Sequence, residues 1–373
     1  MTIAPVDALS ARCDALRTTL RARDLDGLIV TALPNIAYLT GFFASAAALV
    51  VTPAEVVLVG DGRYSVSLQQ RQRECAFLRT QELLPGNSYD QAVVGVLSAH
   101  RGLRFGFEAV HLTVTRHKFL TRALDALGWT TGLVDSEGML EQQRSVKDAW
   151  EIGRLRDSAV RLSSVAKCII PRVLAGRTEA DVAAELEQEL RRVGFERPAF
   201  DTIVASGPNA ALPHARPGSR RLEEGDLVVI DCGGVLDGYC SDVTRTIVIG
   251  PPSDRQRRLL EQVVEAQEAA FGAIAAGVQP EAVDAAARGK LIGHGIGDAF
   301  SHGTGHGLGL EIHEAPRVTR AREDQPEPPL AAGMVLTLEP GAYFSGWGGV
   351  RIEDDVLVTA DGAEWLTDLP RIQ

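Results

Sequence analysis

The sequence lacks an apolar run long enough to cross a bilayer, which takes about 20 residues. Its most apolar stretch, residues 42–59, is interrupted by Thr52, Pro53 and Glu55 and reads as two strands. The first twenty residues have no apolar core after a basic start, so they do not form a secretory leader. Paired cysteines are missing as well. Cys13, Cys75, Cys168, Cys232 and Cys240 are odd in number, scattered, and contain no CxxC. That excludes a zinc knuckle or a disulfide framework and fits a reducing cytoplasm. Cys232 reads as a small residue in a buried strand. Basic excess is absent: 38 Lys and Arg stand against 49 Asp and Glu, a net charge of −11. Nucleic acid is therefore not an expected partner, since phosphate binding needs a basic surface. A membrane partner is not expected either.

What remains is an ordinary globular composition, 45% hydrophobic and 23% charged, over 373 residues. That length suggests about two domains. The first part alternates helical and strand patterns, as in an α/β domain. Residues 9–23 have helical period, 27–31 form a short buried strand, and 34–40 begin a turn. Residues 47–51 and 56–60 read as a hairpin around Pro53, and 104–107 as a further strand. His100, His111 and His117 stand at no ligand spacing and read as surface residues. Composition shifts near residues 141–147, which places a boundary between 1–141 and 142–373. Residues 147–174 then read as one long helix ended by Gly176. Thr178-Glu-Ala-Asp181 has the form of a capping box for a helix over 181–193.

The second part contains an echo. Leu222-Glu-Glu-Gly-Asp-Leu-Val-Val-Ile-Asp231-Cys-Gly233 matches Leu330-Ala-Ala-Gly-Met-Val-Leu-Thr-Leu-Glu339-Pro-Gly341, 108 residues later (339 − 231). Upstream, Ala175-Gly176 before one helix is matched by Ala276-Gly277 before another, over 281–291. Helix, Ala-Gly, helix, then a strand ending in an acid thus occurs twice. The physical reading is two similar halves, each delivering a carboxylate to a shared centre.

Five residues then stand out: Asp231, Asp242, His306, Glu339 and Glu353. Residues 227–230 form a buried strand, and Gly233, Gly234 and Gly238 mark a turn or bulge. Residues 241–248 return as a strand, which sets Asp231 and Asp242 side by side. Two buried carboxylates repel, and a cation removes that penalty. Taken alone, the pair fits a polar turn with exposed acids equally well. His306 lies in His302-Gly-Thr-Gly-His306-Gly-Leu-Gly-Leu-Glu-Ile-His313, and histidine is the commonest metal ligand. A phosphate cradle is the rival reading, but no P-loop Lys-Ser/Thr and no Gly-x-Gly-x-x-Gly opening a helix is present. Arg351 and Glu353 are two apart, hence on one strand face, so Arg351 can orient a carboxylate. Asp354 falls on the opposite, solvated face; Asp355 shares the Glu353 face and is less readily excluded. This oxygen-rich set suits two hard divalent cations, manganese first, with cobalt, iron or zinc as alternatives.

These segments resemble the pita-bread metallopeptidases: methionine aminopeptidase, aminopeptidase P and prolidase. The resemblance rests on Pro213-His214-Ala-Arg-Pro-Gly, Gly238-Tyr-Cys-Ser-Asp242, the His302–His313 stretch, Leu338-Glu339-Pro-Gly and Val350-Arg351-Ile-Glu353. The spacings of 11 (242 − 231) and 7 (313 − 306) agree too. Asn35-Ile-Ala-Tyr38-Leu-Thr-Gly41 and Asp61-Gly-Arg-Tyr64 resemble the creatinase-type N-terminal domain and point to the Xaa-Pro branch. The resemblance covers essentially the whole chain. It implies a creatinase-like α/β domain followed by a pita-bread domain, an α/β (α+β) chain whose pseudo-twofold repeat surrounds a curved antiparallel sheet. It implies that Asp231 binds one metal, Asp242 and Glu353 bridge two, and His306 and Glu339 complete the shell. Glu339 is also the implied proton shuttle. His214, His302 and His313 are implied to position substrate, stabilise the oxyanion or pass a proton. The implied reaction is hydrolysis of an Xaa-Pro bond, with aminopeptidase P activity first and prolidase, confined to dipeptides, as the alternative. A homodimer or larger homo-oligomer is implied as well. Cys232 and Ala315 depart from common family residues without touching a ligand. Metal-free creatinase and non-catalytic binding relatives usually lack the ligand acids, and all five are present here.

Overall fold

The computed structural model describes residues 2–129, 131–322 and 324–372. Two units divide the chain, Thr2–Arg144 and Ser145–Gln373. Among the described residues no helix is long and apolar enough to cross a membrane.

The first unit opens with α1 (Val6–Ala22), β1 (Gly27–Val30), α2 (Leu33–Thr40), β2 (Ala48–Val51) and β3 (Val56–Gly60). It continues with α3 (Ser65–Glu74), β4 (Leu78–Glu82), α4 (Tyr89–Ser98), β5 (Phe105–Glu108), α5 (Val114–Ala126) and β6 (Leu133–Ser136), and runs into α6 (Met139–Ser145). Its six strands are ordered β4-β3-β2-β1-β5-β6. β2 is antiparallel to β1 and β3, as the hairpin reading requires, and the other pairs are parallel. The strands β1, β2, β3 and β5 are buried along their whole length. Residues 34–40 are a helix and not the start of a turn. Pro34 sits in the first helical turn, where its missing N–H leaves no bond unmade. The buried carboxylate of Glu108 accepts from the N–H groups of Thr31 (2.6 Å) and Ala32 (2.7 Å) and from Asn35 (2.7 Å), fixing the entry to α2. That partner is more than 70 residues away, beyond the reach of a local pattern.

The second unit begins with α7 (Ala149–Ile169) and α8 (Glu179–Arg192). Each starts in a capping box, Asp148 with Glu151 and Thr178 with Asp181. Such caps are worth about 1 kcal/mol each. α7 stops short of residue 174 because Pro171 turns the chain into a 3-10 turn at Ile170–Arg172. β7 (Arg197–Pro198), β8 (Ile203–Ser206), β9 (Leu227–Leu236) and β10 (Tyr239–Val248) follow, with β9 pairing the other three. Then come α9 (Asp254–Gly272), α10 (Pro280–Gly293), β11 (Gly305–Gly307), β12 (Glu314–Val318) and β13 (Val335–Leu338). The chain closes with β14 (Gly341–Phe344), β15 (Gly348–Arg351), β16 (Asp354–Val358) and β17 (Ala363–Trp365). The order β12-β11-β13-β16-β17 forms a second sheet, and β14–β15 is a separate hairpin.

Gly233 and Gly234 are not in a turn. β9 runs straight through them, and a Cβ at Gly233 would approach Phe200 and the Ser241 carbonyl to 2.6 Å. The reversal comes at Asp237 (φ 51) and Gly238 (φ 83), a two-residue hairpin loop with both residues left-handed. Side chains alternate along β9. Leu227 and Val229 pack with Leu259 of α9 and Val283 of α10, whereas Val228, Ile230 and Cys232 pack with Leu162 of α7 and Leu186 of α8. Asp231 continues the first series, so it shares the face turned to the second half of the unit. On β10, Val243 and Ile247 belong to the α7–α8 side, which puts Asp242 and Thr244 on the face of Asp231. The echo is visible as helix pair then strand, but incomplete: β13 ends immediately before Glu339, while β9 carries Asp231 in its middle.

Candidate metal centre

Asp231 stands opposite Thr244 in the β9–β10 ladder and Asp242 opposite Gly233, so the two aspartates are diagonal neighbours. A single bridge between Thr244 and Glu353 ties this ladder to the junction of β15 and β16. There the Glu353 N–H donates to the Thr244 carbonyl (3.0 Å), and the Thr244 hydroxyl donates to the Glu353 carboxylate (2.6 Å). β11 supplies His306. Its backbone N–H donates to Thr337 Oγ1 (3.2 Å), and its Nδ1 lies 3.0 Å from the Gly307 carbonyl. A carbonyl can only accept, so Nδ1 carries the proton and Nε2 keeps its lone pair. That Nε2 is 3.8 Å from Glu339 Oε1. One ligand atom each from Asp242, His306 and Glu353 lies within 4.8 Å of the others. Asp231 and Glu339 line the same cavity, of about 700 Å³. All five residues singled out in the sequence therefore meet at one place.

The charges there are unbalanced. Burial pushes Asp242 and Glu353 well above the usual carboxylate range, and neighbouring carboxylates push them further. Burial raises Glu339 to about 7 against the opposing pull of Arg351. His306 is lowered by burial to about 4, so it is neutral and able to ligate near neutral pH. Asp231 Oδ1 and Asp242 Oδ1 are buried without a hydrogen-bond partner. Orphaned carboxylate oxygens beside a neutral imidazole lone pair form a donor set that divalent cations complete. The residues present thus fit a metal pair.

A polar chain borders the cluster. Arg351 donates to Asp231 Oδ2 (2.6 Å), to Thr244 Oγ1 (3.3 Å) and to the Tyr343 hydroxyl (2.9 Å). The Tyr343 hydroxyl is 2.9 Å from His302 Nε2, and His302 Nδ1 donates to the Gly303 carbonyl (2.8 Å). Arg351 and Glu353 do share a side, since both reach Thr244 Oγ1, although β15 ends at Arg351 and β16 starts at Asp354. Because the strand breaks there, Asp354 is not solvated. It is 1% exposed, paired with Arg245 (2.7 Å) and bonded to Thr367 and Gln267. Asp355 is buried behind the ligands, where it accepts from the Asp242 N–H (3.2 Å). His214 and His313 line the cavity with exposed rings, His313 packing edge-on to His306 at 4.4 Å between centroids. Burial lowers His302 to about 4 and lowers His313 as well. Thr244 and Tyr343 were not anticipated from sequence; a lone hydroxyl in a strand has no spacing that marks it.

Both parts of the chain have relatives among known proteins. Residues 154–360 match the model of metallopeptidase family M24, and residues 12–146 match the creatinase/prolidase N-terminal domain. The Xaa-Pro dipeptidase of Pyrococcus furiosus is 43% identical over 235 residues, 63% of this chain and 66% of that protein. The structure of an Xaa-Pro dipeptidase from Bacillus anthracis superposes with a TM-score of 0.90 at 32% identity, covering 98% of this chain and 100% of that one. An X-Pro aminopeptidase from Thermotoga maritima gives 0.85 at 31%, covering 97% and 99%.

Proposed function

The chain belongs to metallopeptidase family M24, pairs a creatinase-type N-terminal domain with a pita-bread domain, and is a metalloexopeptidase; from that premise we propose that it hydrolyses the bond between an N-terminal residue and a following proline. The observation that carries the reading is the group of His306 with the buried Asp242 and Glu353, with orphaned oxygens on Asp231 and Asp242, opening into the cavity. Asp231, Asp242, His306, Glu339 and Glu353 would hold two divalent cations, manganese first. When bound, these supply carbonyl polarisation and lower the pKa of water. The remaining work falls to side chains. Glu339 carries a proton between water and the leaving nitrogen. An Xaa-Pro amide has no N–H, so departure of proline depends on that proton. His302, with its Nε2 held by Tyr343, and the open rings of His214 and His313 orient the substrate or stabilise the oxyanion. Phe200, Ile203, Pro213 and Ile312 give the cavity apolar walls suited to a pyrrolidine ring.

Of the two substrate lengths, the dipeptide has the support of Arg216, which lines the cavity with an exposed guanidinium able to meet a free carboxylate; Arg317 and Arg322, also in the lining, are paired with Glu327 and Asp324. The relatives named Xaa-Pro dipeptidase point the same way. Aminopeptidase P activity on longer peptides is supported by the comparable likeness to the Thermotoga protein. A cytoplasmic homo-oligomer acting on proline-containing peptides completes the proposal. The test is turnover of Xaa-Pro and Xaa-Pro-Yaa peptides with and without added manganese. Metal-dependent release of the first residue is expected, with the dipeptide preferred. Hydrolysis only of non-peptide amides, or none with any divalent metal, would sink it. Equal rates on the tripeptide would instead favour the aminopeptidase.

A further inference from the structure

Helix α10 carries an ion pair that faces the interior and reaches no ligand of the proposed centre. Asp284 and Arg288 lie one turn apart on the helix, with side chains 2% and 9% exposed. The guanidinium meets the carboxylate through two bonds, Nε to Oδ2 (2.9 Å) and Nη2 to Oδ1 (2.8 Å). A pair needed only for helix stability could sit on the surface at less desolvation. This one turns inward, and its remaining bonding capacity goes to one short stretch of backbone.

Arg288 Nη1 donates to the Phe300 carbonyl (3.0 Å), and Nη2 donates to the His302 carbonyl (2.8 Å). The guanidinium also covers the Phe300 ring at 4.2 Å, and that ring packs edge-on against His302 at 5.0 Å between centroids. Asp284 Oδ1 accepts from the hydroxyl of Thr304 (2.8 Å) and shares the Thr304 N–H (3.1 Å) with the Val318 carbonyl (2.8 Å). The stretch from Phe300 to Thr304 is therefore held at three residues by two side chains. It leads directly to two residues of the site. His302 lies inside it, and the Thr304 carbonyl accepts the Glu339 N–H at 2.7 Å. Thr304 is also tied to the sheet through Val318, so the ion pair bears chiefly on the segment from Phe300 to His302 that leads into it.

We infer that Asp284 and Arg288 are positioning residues, an ion-pair clamp that fixes His302 and the Glu339 backbone for the reaction. The inference rests on the proposed role of His302. Arginine suits the task because its planar fork serves a carboxylate and two carbonyls at once, whereas a lysine offers one ammonium. Neither residue touches substrate, so their effect must pass through His302 and Glu339.

Two measurements test this on the full chain. The first is turnover of an Xaa-Pro dipeptide by Arg288→Met, Arg288→Lys and the neutral pair Asp284→Asn/Arg288→Met, each made with and without His302→Ala. The neutral pair leaves no lone buried charge, so it stays informative where Arg288→Met alone fails to fold. With His302 present, kcat/KM is expected to fall roughly 10–100-fold, with partial recovery in Arg288→Lys; with His302→Ala the same changes should cost at least about 3-fold less, the remainder passing through Glu339. Equal losses in both backgrounds, or a lowered melting midpoint with unchanged kcat/KM, would overturn the clamp. The second measurement is amide hydrogen exchange in the metal-free protein, which does not depend on activity. The Glu339 amide should exchange at least about 10-fold faster in the neutral pair, and Thr304, still bonded to the Val318 carbonyl, less so, while β9 stays protected. Unchanged exchange at Glu339 would also overturn it. Absence of any Xaa-Pro turnover by the wild-type chain refutes the proposed substrate, and the exchange result then decides the clamp by itself.

Discussion

At the scale of single residues the centre is a conflict between burial and charge. Asp242 is buried, its Oδ1 has no partner, and Glu353 and Asp231 lead the charges that oppose its ionisation. Such a residue destabilises the metal-free chain and is useful only when a cation is present. Asp242→Asn keeps the shape and removes the charge. Turnover of an Xaa-Pro peptide is expected to fall at least about 100-fold, beyond what losing a mere outer-shell partner does. The same variant, melted in chelator at about pH 8, should unfold at the wild-type temperature or a few degrees above it. A large drop in that midpoint would show that Asp242 is structural. The residues around it differ in how visible they were. Acids and histidines separated by glycines mark themselves in sequence. Thr244 and Tyr343 do not, because their importance lies in what a hydroxyl meets across a sheet.

At the scale of elements, the centre depends on strands approaching more closely than side chains allow. A Cβ at Gly305 would run into the Thr337 carbonyl of β13, on the strand that carries His306. Gly305→Ala must therefore part β11 from β13. A loss of about 1–3 kcal/mol, the usual range for overpacking, is expected in denaturant melts, together with weaker metal binding by titration calorimetry. Wild-type affinity in a folded variant would mean that the strand spacing does not set the His306 position. The 108-residue echo was legible because two strands with the same burial need the same apolar pattern. Its limits were not: β9 runs on past Asp231 through glycines that resemble a turn, since close packing and turning both demand glycine. Asp354 was misplaced for a related reason. Alternation predicts a face only within one strand, and the chain changes strands between Arg351 and Asp354. The helix at α2 stayed hidden because the Glu108 carboxylate that secures its start comes from β5.

At the scale of the whole molecule, the buried acids couple folding to pH and to metal. Glu339 is raised from 4.5 to about 7, and Asp242, Glu353 and Asp355 are raised well above their ordinary values, burial being the largest cause in each. A group whose pKa is higher in the folded chain binds more protons there than in the unfolded chain. Its contribution to stability is complete below the unfolded value and is lost as pH rises through the folded one. Without metal, the melting midpoint should therefore decline from about pH 4 through 7 and beyond. Cations reverse this, because they take the place of those protons and bind more tightly as the carboxylates ionise. At roughly 100 times its dissociation constant, manganese should stabilise by about 2.7 kcal/mol, or roughly 5–10 °C for a unit of this size. The increment should be larger near pH 8 than near pH 5, and proton release should accompany binding in calorimetry carried out in buffers of different ionisation enthalpy. An increment independent of pH, with no proton released, would mean that the metal does not bind at the buried acids. The slope of stability against pH thus reports on three of the carboxylates that would hold the metals, Asp242, Glu339 and Glu353, together with Asp355 beside them.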